Sequence, residues 1–143
     1  MPRFPIEYAV EVHKNDGSPM ELAAGDRPRL IVGPPPEFDG SDVWWSPEHL
    51  LVSALASCMT ATFYAAAAHA TLRIGAYRCR AHGILDHVDE GIAFASMRLA
   101  IDVTVVADDV ERVRALLARA KNGCFVANSL RCSVELTVEV TAS

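Results

Sequence analysis

Residues 4–13 alternate, with Ile6, Tyr8, Val10 and Val12 on one side and Glu7, Glu11 and His13 mainly on the other, the period-two pattern of a half-buried strand. Asn15-Asp16-Gly17-Ser18-Pro19 supplies turn chemistry and predicts a hairpin into residues 20–24. Leu30-Ile31-Val32 has the make-up of a further short strand. Three prolines between Gly33 and Gly40 remove donors and fix φ, so that stretch reads as a loop. Ser46-Pro47-Glu48 then opens a helix: a serine N-cap, a proline where its missing N–H costs nothing, and an acid against the helix dipole. This helix is expected to run to about His69. From Leu50 to Ala68 it carries no formal charge, a length at which a membrane span has to be weighed. Its many alanines, the interruptions at Ser53, Ser57, Thr60 and Thr62, and the amphipathic strands around it favour a core helix buried on nearly all sides.

Two long alternating runs follow Gly75, over residues 76–88 and 92–106, and read as antiparallel strands joined near Asp89-Glu90-Gly91. Asp108-Asp109-Val110-Glu111 opens a second helix. Val110, Val113, Leu116, Leu117 and Ala120 share one face of it, Arg112, Arg114 and Arg119 lie off that face, and Asn122-Gly123 is its expected stop. Residues 124–130 fit one or two helical turns. Residues 133–141 form a last alternating strand with Val134, Leu136, Val138 and Val140 inward. The order β-β-α-β-β-α-β predicts an α+β fold in which an antiparallel sheet wraps a long central helix. No repeat or low-complexity linker divides the chain, so a single domain over residues 1–143 is expected.

At 143 residues, 51% hydrophobic and 22% charged, the chain is an ordinary globular one, able to bury roughly two thirds of its unfolded surface. Its net charge of −5, with basic residues scattered singly, argues against nucleic acid as a partner. Two prolines and a glutamate break the first eight residues before any apolar signal region forms, so the expectation is a cytoplasmic protein with no membrane partner.

The four cysteines, Cys58, Cys79, Cys124 and Cys132, lack C-x-x-C spacing and are too few for a disulfide scaffold. A cysteine reacts as thiolate, and an apolar helix disfavours that form. Cys58 lies about three turns into its helix, beyond the reach of the dipole, so its activation needs a cation from elsewhere. Cys124, at the start of a short helix, is placed to receive free backbone N–H groups. Taken singly, each reads first as a small buried hydrophobe. Cys79 and Cys132 read as packing residues on strands, although Cys132 is close enough in sequence to Cys124 to be an alternative partner. His49, His69, His82 and His87 show no metal-ligand spacing, so neither a metal nor a cofactor is expected. Trp44-Trp45 either line an apolar pocket or anchor the loop ahead of the helix.

Two segments together resemble a known family. Ser46-Pro47-Glu48-His49-Leu50-Leu51-Val52-Ser53-Ala54-Leu55-Ala56-Ser57-Cys58 is similar to the first signature of the OsmC/Ohr family, the osmotically inducible and organic-hydroperoxide-resistance proteins. Residues 118–130, centred on Gly123-Cys124-Phe125, are similar to the second. The resemblance implies the family's fold as an intertwined homodimer, and a thiol peroxidase that reduces organic hydroperoxides in oxidative-stress defence. In it Cys58 is the peroxidatic thiol, Cys124 resolves its sulfenic acid as a disulfide, and a dithiol, of lipoyl type in the Ohr branch, is the reductant. Glu48 matches the glutamate that orients the family's activating arginine. At the place of that arginine in OsmC-like members this chain has Glu37-Phe38-Asp39, which leaves Arg29 and Arg27 as candidate cations and Phe38 and Trp45 as candidate pocket residues. That departure sustains an alternative of another class, a non-catalytic dimer of the same fold that binds a small molecule or lipid.

Overall fold

The computed structural model describes residues 2–143 as two compact units, the first ending at Leu50 and the second spanning Leu51–Ser143. In the first, β1 (Glu11–His13), β2 (Met20–Ala23) and β3 (Leu30–Val32) form an antiparallel sheet in that order. The strand expected over residues 4–13 is thus reduced to its last three. β2 offers partners only from Glu21 to Ala23, so Ile6, Tyr8 and Val10 have no ladder to join and stay exposed despite their alternation. The proline stretch closes on itself as a 3-10 turn, Pro36–Phe38, followed by Asp39 in the left-handed region at φ 60°. Gly40 passes so close to this turn that a Cβ would fall 1.7 Å from the Pro34 carbonyl oxygen. Ser46 is fully buried, and its Oγ accepts the His49 backbone N–H at 3.1 Å, the N-cap bond that Ser-Pro-Glu implied.

That cap starts α1 (Pro47–His69), whose residues from Leu51 onward belong to the second unit. There β4 (Tyr77–Val88) and β5 (Gly91–Val105) form a long antiparallel hairpin turning at Asp89-Glu90. α2 (Val110–Gly123) and α3 (Phe125–Ser129) carry the chain back along the sheet, so β6 (Ser133–Ala142) lies parallel to β5 rather than antiparallel to it as expected. A helical crossover returns a chain to the end where it began, and that dictates the direction.

Leu55, Met59, Phe63 and Ala67, four apart on α1, enter a core with Met97, Leu99, Ile101 and Val103 of β5 and Val113 and Leu117 of α2. The other sheet face carries charge: Arg78, Arg80, Arg98, Asp102, Glu135 and Glu139, with Arg80 and Asp102 paired at 3.2 Å. Packing α1 this near the sheet needs Gly83, where a Cβ would lie 2.8 Å from both Val52 Cγ2 and Phe94 Cε1. The helix is long and apolar enough to cross a membrane, yet it lays one face into this core. It is not enclosed on nearly all sides. Ser57, Ala61, Tyr64, Ala65 and Ala68 remain exposed, because one three-stranded sheet covers only one side of a helix uncharged around its whole circumference.

Candidate active site

Cys58 leaves α1 beside the buried Met59 and is partly exposed, whereas Cys124, between α2 and α3, is wholly buried. The two thiols are neighbours that shift one another's ionisation, and both are free. What brings Cys124 there is the break between the helices. Gly123 is the last residue of α2, as the Asn122-Gly123 stop implied, without entering the left-handed region. Cys124 itself turns extended, at φ −76° and ψ 112°, and α3 restarts at Phe125. The Asn128 side-chain amide, donating to the Asn122 carbonyl at 3.1 Å, ties the corner together.

A restarted helix presents N–H groups with no partner inside it. Those of Phe125 and Val126 donate to the sulfur of Cys58. Burial works against ionisation of Cys58, but the Val126 N–H, the Cys124 thiol, the Phe125 N–H and the Thr62 hydroxyl together outweigh it and leave this thiol more acidic than an ordinary cysteine. For Cys124 burial prevails. Even with N–H groups of Ala127 and Val126 nearby, the neighbouring Cys58 adds to burial and pushes Cys124 up. The expectation that the short helix would favour a thiolate at Cys124 is thus reversed, since its amides serve the residue opposite. Cys58 accordingly has neutral donors at its sulfur and does not depend on a cation alone.

Of the remaining sequence candidates, Glu48, Arg27, Arg29, Phe38 and Trp45 belong to the first unit. The Glu48 carboxylate occupies the first turn of α1, and its Oε2 is buried with no hydrogen-bond partner. Arg29 and Arg27, of the same unit, do not reach it. Arg29 pairs with Glu21, and Arg27 donates to the Ala24 carbonyl at 3.4 Å, both on the surface, because the turn that carries them faces β2. Phe38 and Trp45 are each more than half exposed, Phe38 ending the 3-10 turn and Trp45 bridging to Val32. Cys132, just before β6, packs against the core and lines an open pocket of about 340 Å³ with Phe94, Glu90 and Arg131. Cys79 lies on β4 beside an open groove of about 540 Å³ with Tyr64 and Tyr77. Among the described residues no cluster of His, Cys, Asp or Glu could hold a metal ion.

Two contributors escaped the sequence. The backbone amides of Phe125 and Val126 have no side-chain signature. Thr62 had one, the four-residue spacing from Cys58 that puts both on one helix face.

Residues 40–139 match the family model described as OsmC-like protein. No curated protein sequence matches the chain. Among solved structures, an OsmC-like protein of unknown function from Vibrio cholerae superposes with a TM-score of 0.85 at 20% identity, covering 94% of this chain and 99% of its own. An OsmC-like protein from Mycoplasma pneumoniae gives 0.83 at 16% identity, covering 96% and 99%. An organic hydroperoxide resistance protein from Elizabethkingia anophelis gives 0.78 at 16% identity, covering 99% and 100%.

Proposed function

The chain belongs to the OsmC-like family, and from that membership and its thiol pair we propose that it is a cysteine-based peroxidase of organic hydroperoxides. The carrying observation is the polarity of the pair: the thiol with solvent access is the acidified one, and its neighbouring thiol is buried and held protonated. A peroxide must meet a thiolate first, and of the two only Cys58 is both accessible and shifted toward the thiolate. Its sulfur attacks the distal oxygen of ROOH, an S–O bond forms as the O–O bond breaks, and the leaving alkoxide takes up a proton to become ROH. The sulfur of Cys124 then attacks the sulfenic sulfur, an S–S bond forms, and water departs. An external dithiol, of the lipoyl type, takes the disulfide back to two thiols in the cytoplasm.

Two features support a homodimer as the working form. The uncovered apolar side of α1 and the exposed alternating residues 4–10 each lack a partner among the described residues of their own unit. The buried, unpaired Oε2 of Glu48 is a carboxylate that calls for a cation, which in this reading a second subunit supplies. The unpaired Glu48 carboxylate also fits a second reading, a binding protein whose thiols do not turn over.

Cys124→Ser separates the two. The peroxidase reading expects this variant to consume about one equivalent of cumene hydroperoxide and to hold a dimedone-reactive sulfenic acid at Cys58. A protein that neither consumes peroxide nor forms the adduct belongs to the binding reading.

A further inference from the structure

β6 joins β5 in parallel with Ser133 opposite Ser96, so the start of β5, Gly91 to Ala95, has no β6 residue beside it. The bend Arg131-Cys132, just ahead of Ser133, falls next to that uncovered length, and the β4–β5 turn at Asp89-Glu90 closes its end. Between them lies an open cavity of about 340 Å³, with Val88 and Phe94 as apolar wall, the Cys132 side chain in its lining, and Asp89, Glu90 and Arg131 as its charged groups. Cys132 is a free thiol with partial solvent access, and nothing in the reaction of Cys58 with Cys124 uses it.

The charges do not balance. Two carboxylates stand against one guanidinium, and Glu90 already takes that guanidinium at 3.3 Å, joining the turn to the bend. The cavity is therefore net negative and attracts an ammonium while repelling a carboxylate. Its volume is near the lower end for small-molecule sites, about 300–1,000 Å³, so its occupant is small. The larger groove beside Cys79 differs in kind, because hydroxyls, methyls and phenol rings line it and no charged side chain does among the described residues.

We propose that this cavity is an S-thiolation site, at which Cys132 takes up half of a small aminothiol disulfide while the ammonium of that half rests against Asp89 and Glu90. The Cys132 sulfur attacks one sulfur of the disulfide as thiolate, a new S–S bond forms as the old one breaks, and the other half leaves as a thiolate that takes up a proton. The disulfide is itself the oxidant: Cys132 is oxidised and the departing half is reduced.

The folded protein is reacted with cystamine or with dithiodipropionate, symmetrical disulfides that carry an ammonium or a carboxylate on the same short arm, with a neutral cysteine peptide in the same tube. Acid quenching and non-reducing peptide mass spectrometry give the initial rate of adduct formation at each cysteine, and the peptide corrects for the intrinsic reactivity of the reagents. Cys132 should favour cystamine about fivefold beyond the preference of the peptide at low salt, and less than about twofold in about 0.5 M salt. Cys79, in its uncharged groove, should show the preference of the peptide alone. Asp89→Asn combined with Glu90→Gln should abolish the excess preference, and Arg131→Ala should enlarge it about twofold. All three side chains are exposed, so these variants keep the fold. Absence of a Cys132 adduct under conditions that label the peptide to completion overturns the proposal, as does a preference equal to that of the peptide or one that survives the double substitution. The readout needs no hydroperoxide turnover, so it stands or falls separately from the peroxidase reading.

Discussion

Cys58 and Cys79 both pack, half-buried, against the same hydrophobic core, yet they are driven in opposite directions. Burial disfavours the thiolate of each. At Cys58 the opposing donors are backbone N–H groups at the restarted helix and a hydroxyl from its own helix, and they prevail. At Cys79 the opposing donor is a single phenol, that of Tyr77, and burial keeps the thiol up. Tyr77 is itself pushed up to about 12, burial again leading, so it stays neutral and brings no charge to its neighbour. Depth against the core therefore does not decide which cysteine is acidified. The number of donors converging on the sulfur does.

The sharpest way to break this comparison is to remove each thiol in turn. Cys58→Ser should abolish hydroperoxide consumption, while Cys79→Ser should keep the parent rate within about twofold, since a surface-groove change of this kind is nearly neutral. Loss of activity in the second variant, measured by ferrous-xylenol orange assay, would move the chemistry to the Tyr77 groove. Next in size, Phe125→Pro deletes one N–H donor at the first position of α3, where proline fits and the extended Cys124 tolerates it. Hydrogen bonds to a charged group contribute about 1.5–3 kcal/mol, so the rate at Cys58 near neutral pH should fall roughly 10- to 100-fold. A variant as fast as the parent would mean that the amides do not hold the thiolate.

A smaller effect concerns pH alone. Reactivity follows the thiolate, so alkylation of Cys58 should rise and level off at lower pH than in a free cysteine peptide, and that of Cys79 at higher pH. Labelling both in one sample by mass spectrometry checks the order; a reversed order would remove the distinction between the two sites. Smallest for the chemistry is Gly83→Ala. The added methyl meets Val52 and Phe94, and such overpacking costs about 1–3 kcal/mol in a urea melt. Cys58, lying farther along α1, should keep its labelling profile, and a shift there would show that the start of the helix tunes the thiol.

Much of this was legible in the residues. The caps and periods of Ser46-Pro47-Glu48, of the β4–β5 hairpin and of α2 are local, and local signals carried their elements to within a residue or two. Where the outcome hung on a partner strand, the pattern misled: residues 4–10 alternate but find no ladder, and β6 alternates without disclosing that it runs parallel to β5. Within one chain Arg27 and Arg29 turn to Ala24 and Glu21 instead of Glu48, since the direction of a turn is not written in its spacing.

By itself the sequence pointed to Cys58 and Cys124 together, because two separate segments around them resemble family signatures and none surrounds Cys79 or Cys132. It also determined that a long uncharged helix would form at residues 47–69, since cap, length and composition all lie in one stretch of chain. Only the tertiary structure decided which of the paired thiols is acidified. The amides that do so belong to Phe125 and Val126, residues far from Cys58 in the chain and without any side-chain polarity, and a backbone N–H acts on whatever the fold places in front of it.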